Sequence, residues 1–215
     1  MSELTIWTYD WVPEGPRGFV RDLRLRWACE EAGLTYAVGT ILRWSRDQSS
    51  GASAIWPSPV LAGRRTGDIR KRRWTAASGP KKRQADAADP VGAAETLQWT
   101  IAALNSIEMV TVPWWFLKMT GAENEGLTAW MGKRLDQLER VLSEQEWLAA
   151  ERFTVADLLM ADVLRVSDVR SFGDRPATEA YVARVTGRTA FKKAQADQIG
   201  HFEAADQKRA EERSN

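Results

Sequence analysis

Residues Trp147–Leu164, "WLAAERFTVADLLMADVL", hold a helix start written in side chains. Thr154 stands where a hydroxyl can cap the first turn, and Asp157, three residues on, can return a bond to the backbone of Thr154. Outward from it the helical period continues. Leu127, Met131, Leu135, Leu138 and Leu142 form one stripe before it, and Leu97, Ile101 and Leu104 begin another. Beyond it, Pro176 suits the first turn of a helix ending near Gly187. The tail Ala205–Asn215, "ADQKRAEERSN", is polar and expected to fray.

The N-terminal end has a different period. "LTIWTYDW" (Leu4–Trp11) is rich in strand formers, and "VPEGPRG" (Val12–Gly18) is a turn-forming stretch. Phe19, Leu23 and Trp27 then share a helical face, Gly33 is a helix stop, and "LTYAVGT" (Leu34–Thr40) resumes the strand signal. Residues 4–40 read as a β-α-β unit.

With 215 residues the chain can bury a substantial core. No apolar run approaches a membrane span, and the first residues lack the regions of a signal peptide, so a cytoplasmic location is the expectation. Cys29 is the only cysteine and His201 the only histidine, which argues against a disulfide or a zinc site and predicts no metal. The net charge of +1 conceals a strong asymmetry. Between Ile41 and Ala87, eleven lysines and arginines oppose three aspartates, so that segment is +8 and the remainder −7.

"LRLRWACEEAGLTY" (Leu23–Tyr36), "WLAAERFTVADLLMADVL" and "YVARVTGRTAFKKA" (Tyr181–Ala194) together resemble the cytosolic glutathione transferase family, in which the Thr154–Asp157 capping box is a hallmark of the helical domain. The resemblance covers residues 1–40 and 88–215. It implies an α/β plus all-α fold: a thioredoxin-like N-terminal domain (1–87, with 1–40 intact and 41–87 anomalous), an all-helical domain (88–205) and a polar tail (206–215). It also implies a cytoplasmic homodimer that uses glutathione as co-substrate to conjugate small hydrophobic electrophiles. A non-catalytic scaffold of the same fold is the alternative.

The resemblance fails over 41–87, where the family has two strands, a proline turn and a helix opening with Glu-Ser. Read one nucleotide later, each codon takes its first and third bases from the written residues, leaving mainly the middle base open. Trp56 before Pro57 is then forced to glycine, as is Trp74 before Thr75. With middle bases chosen to match the family, the segment from Ala54 permits Gln-Phe-Gly-Gln-Val-Pro-Phe-Leu. Arg70–Trp74 permits Glu-Ser-Gly-Ala followed by the forced Gly, and Thr75–Ser78 permits Leu-Leu-His-Leu. Residues from about Ile41 to Ala87 are therefore expected to be translated out of the ancestral frame, through a pair of mutations or a sequencing error. This also accounts for "RKRRW" (Arg70–Trp74) and "PKKR" (Pro80–Arg83) without a nucleic-acid partner, since misread GC-rich codons favour arginine.

In the family, a Val-Pro backbone holds the cysteinyl part of glutathione and the Glu-Ser pair its γ-glutamyl end. The written sequence has Pro59-Val60 and the surroundings of Arg70-Lys71 there, so most of that site is expected to be missing, and the segment to be irregular. Near the first helix the family places a donor that steadies the glutathione thiolate, the form that attacks electrophiles. Tyr9, Arg17 and Arg21 are the candidates for that role, although Tyr9 also reads as a packed strand residue. Cys29 reads as core and His201 as a surface or packing residue. Asn105, Met109, Trp114 and Trp115 are candidates to line an electrophile pocket, against the alternative that these aromatics fill the helical interior or a subunit contact.

Overall fold

A computed structural model describes residues 4–41, 61–62 and 89–214. They form two compact units, one holding the strands together with the first and last helices, the other holding the helices between.

In the first unit, β1 (Leu4–Tyr9) runs parallel to β2 (Tyr36–Ile41), with Leu4 opposite Tyr36 and Tyr9 opposite Ile41. A parallel pair needs a crossover, and α1 (Asp22–Ala32) supplies it. Gly33 ends α1 at φ 64°, a left-handed turn that glycine adopts without strain, and its N–H closes onto the last carbonyls of the helix. The expected β-α-β unit is thus present. Within the segment expected to be irregular, β3 (Leu61–Ala62) pairs antiparallel with Thr5 and Ile6 on the other edge of β1, giving the order β2-β1-β3. The rest of that segment, with the Pro59-Val60 and Arg70-Lys71 positions and the two basic runs, lies outside the described residues.

The α1 face differs from the expected one. Phe19 precedes the helix and is 46% exposed, while Asp22, Leu23, Arg26 and Trp27 are buried. The helix begins three residues after Phe19, so Phe19 never joins its periodicity. The long last helix of the chain, labelled α8 below (Thr189–Ser214), packs along α1. Phe191 meets Trp27 edge-on with ring centroids 4.7 Å apart, and Lys193 pairs with Glu30 at 2.8 Å. The polar stretch from Ala205 is helical to Ser214, not frayed.

The second unit starts with one long helical run: α2 (Pro90–Ala102), a π-helical segment (Ala103–Glu108) and α3 (Met109–Met119). Asp89 caps α2 by accepting from Gly92 N–H at 2.8 Å, and Pro90 occupies the first turn, where its missing N–H costs nothing. Then follow α4 (Glu125–Glu144), α5 (Val155–Leu164), the short α6 (Ser167–Arg170) and α7 (Pro176–Thr186). The α4 stripe is buried from Met131 to Leu142, as its period predicts. The Leu97/Ile101 stripe instead faces outward. Period identifies a face but not what lies against it, and the opposite face, with Ala103, Ile107, Val110 and Trp114, takes the interior.

The capping box forms as the sequence predicts and carries more than a cap. Asp157 Oδ2 accepts from the Thr154 N–H at 2.8 Å and its hydroxyl at 2.9 Å. Oδ1 accepts from the Leu148 N–H at 3.0 Å and the Tyr181 hydroxyl at 3.0 Å. One buried carboxylate therefore ties the loop before α5, the start of α5 and the middle of α7 together. Burial pushes its pKa up, and these four donors oppose the shift.

Candidate functional site

The loop between β1 and α1, with the face of α8 beside it, holds the three residues expected to steady a thiolate. The chain leaves β1 at Tyr9, whose side chain packs with Val12, Val20 and Phe202, so its ring is core, as the packed-strand reading holds. His201 Nε2 lies 3.1 Å from the Tyr9 carbonyl, which can only accept, so the ring proton sits on that nitrogen. The same imidazole meets Phe202 edge-on.

Arg17 is held from two sides. Its Nε and Nη2 donate to the Val12 carbonyl at 3.2 and 3.0 Å, and Nη1 and Nη2 donate to Asp206 at 2.6 and 2.9 Å. The Trp11 indole N–H also donates to Asp206, at 2.6 Å, and the Arg209 guanidinium stands 4.3 Å over the Trp11 ring. The Arg17 hydrogen bonds, then that of Trp11, bring the Asp206 carboxyl down to about 2. Arg21 occupies the cap position of α1 and is exposed.

One turn further in, charge is fully buried. Arg26 Nε donates to Asp22 Oδ2 at 2.8 Å, and Gln198 Nε2 donates to Asp22 Oδ1 at 2.5 Å and to the Val20 carbonyl at 3.0 Å. Burial raises the Asp22 pKa while Arg26, Thr8 and Gln198 act against the rise. Cys29 is buried close by on the same helix, and its thiol is pushed up to about 11 by burial and then by Glu30. At neutral pH it is a thiol, a core side chain and not a nucleophile.

The four residues proposed to line a pocket do not share one face. Asn105 and Met109 are exposed on the outward stripe, whereas Trp114 is buried and Trp115 half-buried. Trp114 donates its indole N–H to Thr128 Oγ1 at 3.1 Å and meets Phe172 edge-on at 5.3 Å, so it fills the helical interior. Trp115 reaches the Asp168 carboxylate, which Lys118 also pairs.

Reading the sequence missed Trp11, Asp22, Arg26, Gln198 and Asp206. The Asp22–Arg26 spacing is an i, i+4 pair that charge patterning could have raised. Nothing local marks Asp206 as the partner of a loop 189 residues earlier.

Among solved structures, the chain is similar to the glutathione transferase URE2P6 from Phanerochaete chrysosporium in complex with oxidized glutathione. The TM-score is 0.63 at 17% identity, covering 93% of this chain and 98% of that one. A glutathione transferase from Pseudomonas putida, with one glutathione disulfide bound per subunit, gives 0.59 at 16% identity over 90% of each chain. Glutathione S-transferase-I bound with lactoylglutathione gives 0.63 at 18%, covering 90% of this chain and 99% of that one. Residues 123–188 match the family model described as glutathione S-transferase, C-terminal domain. The chain has the glutathione transferase fold. The matched residues span α4–α7 and include Thr154–Asp157. No curated protein sequence matches the chain. Among the described residues of this transferase fold, no helix is long and apolar enough to cross a membrane, and no group of three or more His, Cys, Asp and Glu gathers as metal ligands do.

Proposed function

We propose that this chain is a glutathione transferase by descent, whose written form binds glutathione weakly and conjugates small hydrophobic electrophiles poorly. The family's C-terminal domain within a transferase fold carries the descent. The impairment is supported by the loop after β1, where the Tyr9 ring is packed into the core and the Arg17 charge is already matched by Asp206. Arg21, exposed at the start of α1, is retained as a candidate to steady the thiolate. Asn105 and Met109 remain candidates to meet the electrophile, from the outward side of the long helical run.

The sequence of residues 41–87 supports the same reading: shifted by one nucleotide, it permits the Val-Pro and Glu-Ser elements that hold glutathione in the family, with both glycines forced. Glutathione-agarose retention tests this with two proteins, the written chain and one carrying the restored reading. The restored protein is expected to be retained, to elute with free glutathione and to conjugate an activated chloronitrobenzene at least a hundredfold faster. Equal retention of the written chain would overturn the impairment, and failure of the restored chain to bind would overturn the glutathione assignment.

A homodimer is part of the proposal. Leu97, Ile101, Met109, Val112, Phe116 and Met119 form an exposed apolar stripe along the long helical run, and a face of that kind favours a partner. Sedimentation velocity is expected to show about twice the monomer mass. A monomer at tens of micromolar would contradict it and favour the non-catalytic reading of an isolated scaffold.

A further inference from the structure

Trp11 and Arg17 make a receptor for a carboxylate. Three N–H groups, one from the Trp11 indole and two from the flat guanidinium of Arg17, converge on a single carboxylate at 2.6–2.9 Å. The paired N–H groups of arginine match the two oxygens of a carboxylate, which a single point charge does not. The receptor is preorganised, because the Val12 carbonyl accepts from Nε and Nη2 behind the charge and fixes the plane of the guanidinium. The Arg17 side chain is only 11% exposed, so its charge needs an anion in front of it.

The carboxylate now in place belongs to a part of α8 held by polar contacts, those of Asp206 itself and of Arg209 over the Trp11 ring. Among the described side chains of that helix Phe202 is the last buried one, and from Glu203 to Glu212 they are exposed or half-buried. The Asp206 side chain is itself 47% exposed. Helix ends without buried apolar contacts open at small free-energy cost, so Asp206 can leave while Arg17, fixed to the loop, stays. Glu14 and Glu203 also act on Arg17 electrostatically, which disfavours a second anion beside Asp206. An incoming ligand therefore has to replace that carboxylate.

We propose that Trp11 and Arg17 form a binding site for the carboxylate of a small acid or peptide end, kept occupied by Asp206 until the end of α8 opens. The site does not depend on glutathione being the co-substrate. Binding is tested with N-acetylglycine as the probe and N-acetylglycinamide as its uncharged control, following the Trp11 indole N–H signal by NMR. Asp206→Ala is expected to bind N-acetylglycine at least tenfold more tightly than the parent, with no response to the amide, and a further Arg17→Gln change is expected to abolish the response. In the unmodified protein, saturating N-acetylglycine is expected to speed amide hydrogen exchange across residues 203–214, a readout that holds even if Asp206→Ala does not fold. No titration of a folded Asp206→Ala protein, an equal response to the amide, or unchanged exchange in the parent would each overturn the proposal.

Discussion

Asp157→Ala is expected to destabilise the helical unit by about 3–5 kcal/mol, because it leaves several buried donors without an acceptor at about 1–3 kcal/mol each. The donors are the Leu148 and Thr154 N–H groups and the Thr154 and Tyr181 hydroxyls, all directed at one fully buried carboxylate. Water reaches some of them once the side chain is gone, which keeps the cost below the sum of the four. Loss of a simple helix cap costs about 1 kcal/mol, so a value near that would mean Asp157 only caps α5. Asp157→Asn keeps the shape but turns an NH2 group toward donors, and is expected to recover less than half of the loss. Chemical denaturation followed by the far-ultraviolet helix signal measures both. Glu123→Ala, at an exposed site in the same unit, serves as the control and is expected to shift stability by less than about 0.5 kcal/mol.

The second large effect is expected at Asp22. Removing this carboxylate strands the Arg26 guanidinium, which is 2% exposed and paired only with Asp22 among the described ion pairs. An uncompensated buried charge costs about 3–5 kcal/mol, whereas replacing both partners with apolar groups of similar size is often neutral. Asp22→Ala alone is therefore expected to be severe, and Asp22→Leu with Arg26→Met to recover most of the stability. Hydrogen exchange over α1 is the suitable measurement, since two units need not unfold in one step. If the double replacement is as costly as the single one, the pair is not what holds α1 in place. Gln198 keeps its bond to the Val20 carbonyl in either variant, so the link between α8 and the start of α1 is weakened but not cut.

What could be read from the sequence was local, and what could not was long-range. Gly33, Pro176 and the Thr154–Asp157 box lie where their chemistry dictates, because each acts on backbone within four residues of itself. The α4 stripe is buried because a continuous apolar face on a long helix has to be covered. The Leu97/Ile101 stripe obeys the same periodicity and faces out, and its continuation through Asn105, Met109, Val112 and Phe116 runs mostly in steps of four. That spacing suits the wider turn of the π segment it crosses. Phe19 misled because the chain turns at Gly18 and enters α1 only at Asp22. The candidate site was half legible: Arg17 was singled out for its charge, while the carboxylate that occupies it lies near the other end of the chain. Tyr9 was singled out for its hydroxyl, and its ring proved to be core.

The proposed loss of the glutathione site depends most on residues 41–87 being read out of the ancestral frame of a glutathione transferase. Peptide mapping by mass spectrometry of the protein from its native source tests that directly. A proteolytic digest is expected to contain either the written peptides, from an altered gene, or peptides with Gly-Gln-Val-Pro-Phe-Leu and Glu-Ser-Gly-Ala-Gly, from an intact one. The nucleotide sequence must spell those restored residues one base out of frame in the first case and in its own frame in the second. A coding sequence whose shifted frame over this segment gives stop codons, or residues unrelated to the Val-Pro and Glu-Ser elements, would contradict it.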